Sequence, residues 1–118
     1  MKPNTLLSIN IPGEITTNSN REKIHQWRDS MERTLASLHF SPIHNKKLSV
    51  SLKFWIQNHR LQNRRNDLDN LTKPVLDSMK KMQVIEDDAF IYHLDTAKFP
   101  TQSNEEMQLV VKEWRAMK

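Results

Sequence analysis

Asp67 and Asp69 stand two residues apart in Asp67-Leu68-Asp69-Asn70, and steps of four then lead from Asp69 to Lys73 to Asp77. Residues two apart share one side of an extended chain, so Asp67 and Asp69 can converge on a point. Steps of four align side chains on one stripe of a helix, which puts two carboxylates and an ammonium along a common edge. A second acidic group, Glu86-Asp87-Asp88, follows the same amphipathic stretch. Crowded carboxylates repel one another, and a hard divalent cation relieves that conflict. Mg²⁺ takes oxygen ligands, typically one or two carboxylates together with water and substrate phosphate. Such a cluster beside a phosphate-seeking surface is what metal-assisted phosphodiester hydrolysis requires.

Plainer roles compete for the same residues. Asp69 or Asn70 can cap a helix, Asp77 and Lys73 can form an exposed pair worth about 0.3–0.5 kcal/mol, and Glu86-Asp87-Asp88 can be a solvated turn. A calcium loop of the EF-hand type is excluded, because Leu71, Thr72 and Ser78 stand where a ligand, the glycine and the terminal glutamate belong. No histidine is placed as a general base: His25 falls in a helical stretch, and His39, His44, His59 and His93 are scattered.

Charge is distributed unevenly. Lys+Arg 18 against Asp+Glu 14 gives a net +4 over 118 residues. Between Glu32 and Asp67 no acidic residue occurs, while Arg33, Lys46, Lys47, Lys53, Arg60, Arg64 and Arg65 all fall there. From Asp67 to Asp95 the balance reverses, so a basic stretch abuts an acidic one. Cysteine is absent, which excludes disulfides, thiolate metal sites and a cysteine nucleophile and leaves any metal to oxygen or imidazole. No run approaches the roughly 18 apolar residues of a membrane span, and Lys2 precedes no continuous apolar region of a secretion signal. A cytoplasmic protein of one domain over residues 1–118, with no membrane and no small-molecule cofactor, is the expectation.

The elements that position these residues follow from periodicity. Leu7, Ile9 and Ile11 alternate with polar residues and end at Pro12-Gly13, a short strand. Ile24, Trp27, Met31, Leu35 and Leu38 define one face of a helix, with Ser19 and Glu22 at capping-box spacing before it and Pro42 beyond it. Leu48 to Ile56 alternate over a long strand, and Asn58–Asn66 reads as a polar basic loop. A second helix is predicted over about Asp69–Met82, starting late or bending at Pro74. Phe90–Phe99 is extended, and Pro100–Glu105 is expected to turn a hairpin into a last strand at Met107–Val111. The order β-α-β-α-β-β predicts an α/β (α+β) fold, a four-stranded mixed sheet covered on one face by two helices. On its other face Trp55, Tyr92, Val110 and Trp114 would supply apolar surface for a dimer partner to bury.

The run Arg64-Arg65-Asn66-Asp67-Leu68-Asp69-Asn70-Leu71-Thr72-Lys73, then Leu76-Asp77-Ser78-Met79, then Val84-Ile85-Glu86-Asp87-Asp88, resembles the RusA family of Holliday junction resolvases. That family combines a basic run, D-x-D-N-x-x-K, a helix with a further Asp, and a paired D-D before the next strand, and the likeness covers about Asn58–Pro100. Gln83 stands where the family commonly has Gly, Pro74 interrupts the helix start, and Asn66 shortens the basic run.

The resemblance implies a small homodimeric endodeoxyribonuclease, often prophage-encoded, that resolves four-way DNA junctions by paired symmetric nicks in recombination and repair, at the nucleoid. It implies that Asp67, Asp69 and Asp88 bind the catalytic Mg²⁺, with Mn²⁺ as a substitute, that Asp87 is secondary, and that Lys73 is the cation near the scissile phosphate. Arg60, Arg64 and Arg65, with Lys46 and Lys47, would then engage backbone phosphates, contacts that give salt-dependent affinity and little sequence information. The alternatives are a branched-DNA-binding protein without cleavage, a broader flap or fork nuclease, and an interaction module whose acidic cluster is solvated surface.

Overall fold

Strand β2, Leu48–Gln57, buries Leu48, Val50, Leu52, Phe54 and Ile56 in strict alternation, the most apolar inward face of any strand. A computed structural model describes residues 4–38 and 41–116 of the chain, so His39 and Lys2 lie outside the described residues. Around β2 are β1 (Thr5–Pro12), α1 (Ile24–Ser37), α2 (Asn58–Leu61), α3 (Leu68–Lys81), β3 (Ile91–Thr101) and β4 (Glu106–Glu113). The sheet order is β1-β4-β2-β3, with β4 antiparallel to both β1 and β2 and β3 parallel to β2. The expected α+β architecture, a mixed four-stranded sheet with helices against one face, is the one observed. Trp27, Met31 and Leu35 of α1 join Leu71, Val75 and Met79 of α3 and the inward residues of β1, β2 and β4 in one core. Among the described residues no helix is long and apolar enough to cross a membrane.

Four local expectations are corrected. β3 and β4 do not pair as a hairpin: the chain turns after Thr101 and crosses the end of β2, which lies between them. The apolar face of β2 takes a central position, whereas β3 turns the less apolar Leu94, Thr96 and Lys98 inward and sits at the edge. The Ser19–Glu22 capping box does not form. The Ser19 hydroxyl is hydrogen-bonded to that of Thr17 at 2.8 Å, and Asn20 closes the turn before α1 by accepting from the backbone N–H of Lys23 at 3.2 Å. The basic loop contains the single-turn α2 and a 3₁₀ turn at Arg64–Asn66. Helix α3 starts ahead of Pro74 and runs through it, because Asp67 caps the first turn and Pro74 is buried in the core side of the helix.

The sheet's other face carries two aromatic pairs. Trp55 stacks on Phe99 with ring centroids 5.4 Å apart, and Tyr92 lies against Trp114 at 5.1 Å. Tyr92 remains 55% exposed, more than any other large apolar side chain in the described residues.

Candidate active site

Helix α3 is started by Asp67, whose Oδ1 accepts from the backbone N–H of Asn70 at 2.9 Å while its carbonyl accepts from Leu71 at 3.0 Å. The helix buries Leu71, Val75 and Met79 and turns the opposite stripe outward. Asp69, Lys73, Leu76, Asp77 and Lys80 of that stripe, with the buried Thr72 beside it, form one wall of a cavity of about 380 Å³. Asp88, Leu94 and Thr96 complete the lining. The predicted alignment of Asp69, Lys73 and Asp77 is therefore realised, and Asp88 of the second acidic group joins them.

The return of the chain explains how Asp88 arrives. After α3 the backbone turns at Gln83, which holds φ 59°, and the N–H groups of Gln83 and Val84 donate to the carbonyls of Lys80 and Met79 at 3.0 and 2.9 Å. This is a Schellman closure, in which a left-handed residue satisfies the last free carbonyls of a helix. Val84 and Ile85 then enter the core, where Ile85 bridges to Ile43, and the acidic residues emerge beside α3. The three neighbours part company there. Glu86 turns to the backbone N–H of Asn45, at 2.8 Å, and to His44, while Asp87 caps the 3₁₀ turn Asp88–Phe90 by accepting from the N–H of Asp88 at 2.9 Å. Only Asp88 of the three lines the cavity.

Lys80 sits between the carboxylates, with Nζ 3.5 Å from Asp88 Oδ2 and 3.9 Å from Asp77 Oδ1. Lys73 is in no ion pair among the described residues, so its ammonium is free toward the cavity and the Lys73–Asp77 pair does not form. Thr72 lines the same cavity with its hydroxyl buried and without a hydrogen-bond partner among the described residues. The sequence alone assigns neither Lys80 nor Thr72 to the site. Lys80 is legible after the fact as the residue three beyond Asp77 on the same stripe.

The fit of a divalent cation rests on the donor set. Asp69 and Asp88 present hard oxygen atoms to one cavity, as Mg²⁺ requires when water and phosphate complete its shell. No group of three or more acidic or histidine side chains able to hold a metal by themselves occurs among the described residues. Asp67 is exposed at the helix start and does not line the cavity, its carboxylate being turned to the cap.

The basic residues divide into three groups. Arg64 and Arg65 are exposed on the turn that leads into α3. That turn is fixed by Lys98 of β3, whose Nζ donates to the carbonyls of Leu61 and Asn66 at 2.7 and 2.9 Å. Arg60 is instead drawn inward: its guanidinium pairs with Glu105 and donates to the carbonyl of Ile15, and only 17% of its side chain is exposed. Lys46 and Lys47 lie at the far end of β2, a strand of 10 residues spanning about 30 Å, where Lys46 is 3.7 Å from Glu113 and Lys47 sits over the Tyr92 and Trp114 rings. They are not brought together with Arg64 and Arg65.

The acidic cavity, with its free lysine and its neighbouring arginine turn, lies within residues 13–112, which match the family model described as endodeoxyribonuclease RusA. The chain belongs to the RusA family. No curated protein matches it. The RusA match begins in the loop after β1 and ends at the penultimate residue of β4, so it takes in α1, α3, the cavity and both turns that carry Arg60, Arg64 and Arg65.

Proposed function

We propose that the protein is a Mg²⁺-dependent, structure-specific endodeoxyribonuclease that nicks four-way DNA junctions. The observation that carries this reading is the single cavity that holds Asp69, Lys73 and Asp88 in a chain of an endodeoxyribonuclease family. A bound divalent cation supplies a water of lowered pKa and polarises the phosphoryl oxygens. Asp69 and Asp88 would hold that cation, Asp67 at the helix start would reach it only by leaving its cap, and Asp87 fixes the backbone of Asp88. Lys73, with no carboxylate of its own, orients the scissile phosphate and offsets the charge that develops on it during cleavage. Arg64 and Arg65 engage flanking phosphates, giving affinity that falls steeply with salt.

A symmetric junction presents two equivalent strands, and a twofold dimer of this domain would present two equal cavities. The exposed aromatic face with Tyr92, Trp114 and Phe99 supports such a dimer. Cleavage of a labelled four-way junction in Mg²⁺, with wild type compared with Asp69→Asn and a linear duplex as control, tests the reading. Paired nicks in the junction alone, lost in the variant while binding persists, are expected. Tight binding with no nick in Mg²⁺ or Mn²⁺ would leave a branched-DNA-binding protein, and equal cutting of flaps and forks would leave a broader nuclease.

A further inference from the structure

The loop between β1 and α1 is held more firmly than an exposed connection requires. Glu105, 7% exposed, accepts from the backbone N–H groups of Ile15 and Gln57 at 3.0 Å each and pairs with Arg60, which also donates to the Ile15 carbonyl. The Gly13 N–H donates to the Glu105 carbonyl at 3.2 Å, and Arg28 of α1 donates to the Asn18 side chain. Thr16 and Thr17 are each 2% exposed.

This rigid loop faces the turn before α3 across a cavity of about 440 Å³ whose lining includes Asn20, Arg21, Asn63 and Arg65. Two of the acceptors there are used internally: Asn20 Oδ1 takes the Lys23 N–H at 3.2 Å, and Asn63 Oδ1 takes the Arg65 N–H at 3.0 Å. Their NH₂ groups remain as donors. Arg60 is neutralised by Glu105, while Arg21 and Arg65 form no ion pair among the described residues and face one lining carboxylate, Glu22. A cavity that offers guanidinium and amide donors with a net positive charge takes an anion, since a charged acceptor forms the stronger hydrogen bonds. A smaller cavity of about 260 Å³ continues from it, sharing Thr17 and Ser19 with the first and Lys73 with the acidic cavity.

We infer that the cavity over Arg21 is a subsite for a backbone phosphate of the DNA strand, adjacent to the phosphate cleaved beside Lys73. Arg21 and Arg65 are its cations, and the Arg60–Glu105 pair positions the loop that carries Arg21. The inference rests on the endonuclease reading and adds a contact from the β1–α1 loop to it.

The test uses four-way junctions carrying one neutral methylphosphonate at successive positions around the nick, with binding measured without divalent cation for wild type, Arg21→Ala and Arg21→Lys. Wild type should lose about ten-fold in affinity at one position flanking the nick. Arg21→Ala should bind the unmodified junction about ten-fold more weakly, become insensitive to the methylphosphonate at that position alone, and show a salt slope shallower by about 0.9. Arg21→Lys should recover most of the affinity. If Arg21→Ala keeps every wild-type methylphosphonate sensitivity, the subsite is refuted and the nuclease reading stands. If wild type binds no junction, the nuclease reading falls and the subsite with it.

Discussion

Lys80 Nζ lies 3.5 Å from Asp88 Oδ2, so the carboxylate that the second acidic group contributes to the cavity already has a counter-ion from the helix opposite. An ammonium at that place opposes a divalent cation held by the same oxygen atoms. Replacing it strengthens cation binding by the worth of a partly exposed pair, up to about 1 kcal/mol. Lys80→Met should therefore bind Mn²⁺ up to about five-fold more tightly in a spectroscopic titration and reach half-maximal cleavage at lower metal concentration. Unchanged or weaker binding would show that the cation sits away from Asp88.

Asp67 has two candidate roles that one pair of variants separates. Its Oδ1 caps α3, and loss of a capping side chain costs about 0.5–2 kcal/mol, whereas Asn caps about as well as Asp. Asp67→Ala should lower the thermal midpoint by several degrees, and Asp67→Asn should hold it near wild type. If Asp67 also serves the cation, Asp67→Asn loses cleavage at full stability. An Asp67→Asn protein that cleaves normally confines the residue to its cap.

Arg60 and Glu105 form the most buried ion pair among the described residues, with side chains 17% and 5% exposed. Removing one partner strands the other charge; loss of Glu105 also frees the N–H groups of Ile15 and Gln57, and loss of Arg60 frees the Ile15 carbonyl. Glu105→Ala and Arg60→Ala should each cost about 3–5 kcal/mol in urea unfolding. Arg64→Ala, on an exposed turn, should leave stability within about 0.5 kcal/mol and flatten the salt dependence of DNA binding instead. Equal stability of Arg60→Ala and Arg64→Ala would contradict the inward placement of Arg60.

These contrasts mark what was legible in the chain. Alternation over Leu48–Ile56 and helical spacing over Leu71–Met79 each report a buried face directly, and the Asp69–Lys73–Asp77 stripe follows once α3 exists. The place of Asp88 does not follow, because it depends on the turn at Gln83 and on the Ile43–Ile85 bridge, contacts made across the fold. Arg60 stood in a run of basic residues and read as one of them, since only the β3–β4 connection reveals its partner. Glu105 closes a polar turn and carries no local sign of burial, so it was missed. The expected hairpin between the last two strands fails for a related reason: a polar turn between two strands fits a hairpin or a crossing, and only the competition for the central place, which β2 wins by its apolar face, decides between them.

Gln83 offers the last prediction, and it concerns the turn that delivers the second acidic group. The residue occupies the left-handed position of a Schellman closure, φ 59°, where a Cβ meets the following carbonyl and costs about 1–2 kcal/mol. Gly removes that strain but enlarges the unfolded ensemble, which returns about 0.4–1 kcal/mol of the gain. Gln83 is exposed, so no packing is lost. Gln83→Gly should therefore stabilise the protein by about 0.5–1 kcal/mol in urea unfolding, with the slope unchanged, and leave junction cleavage intact because Asp88 keeps its place. Gln83→Val, β-branched at the same φ, should destabilise. A Gly variant less stable than wild type would mean that the Gln83 side chain makes a compensating contact, and the strain argument would fail.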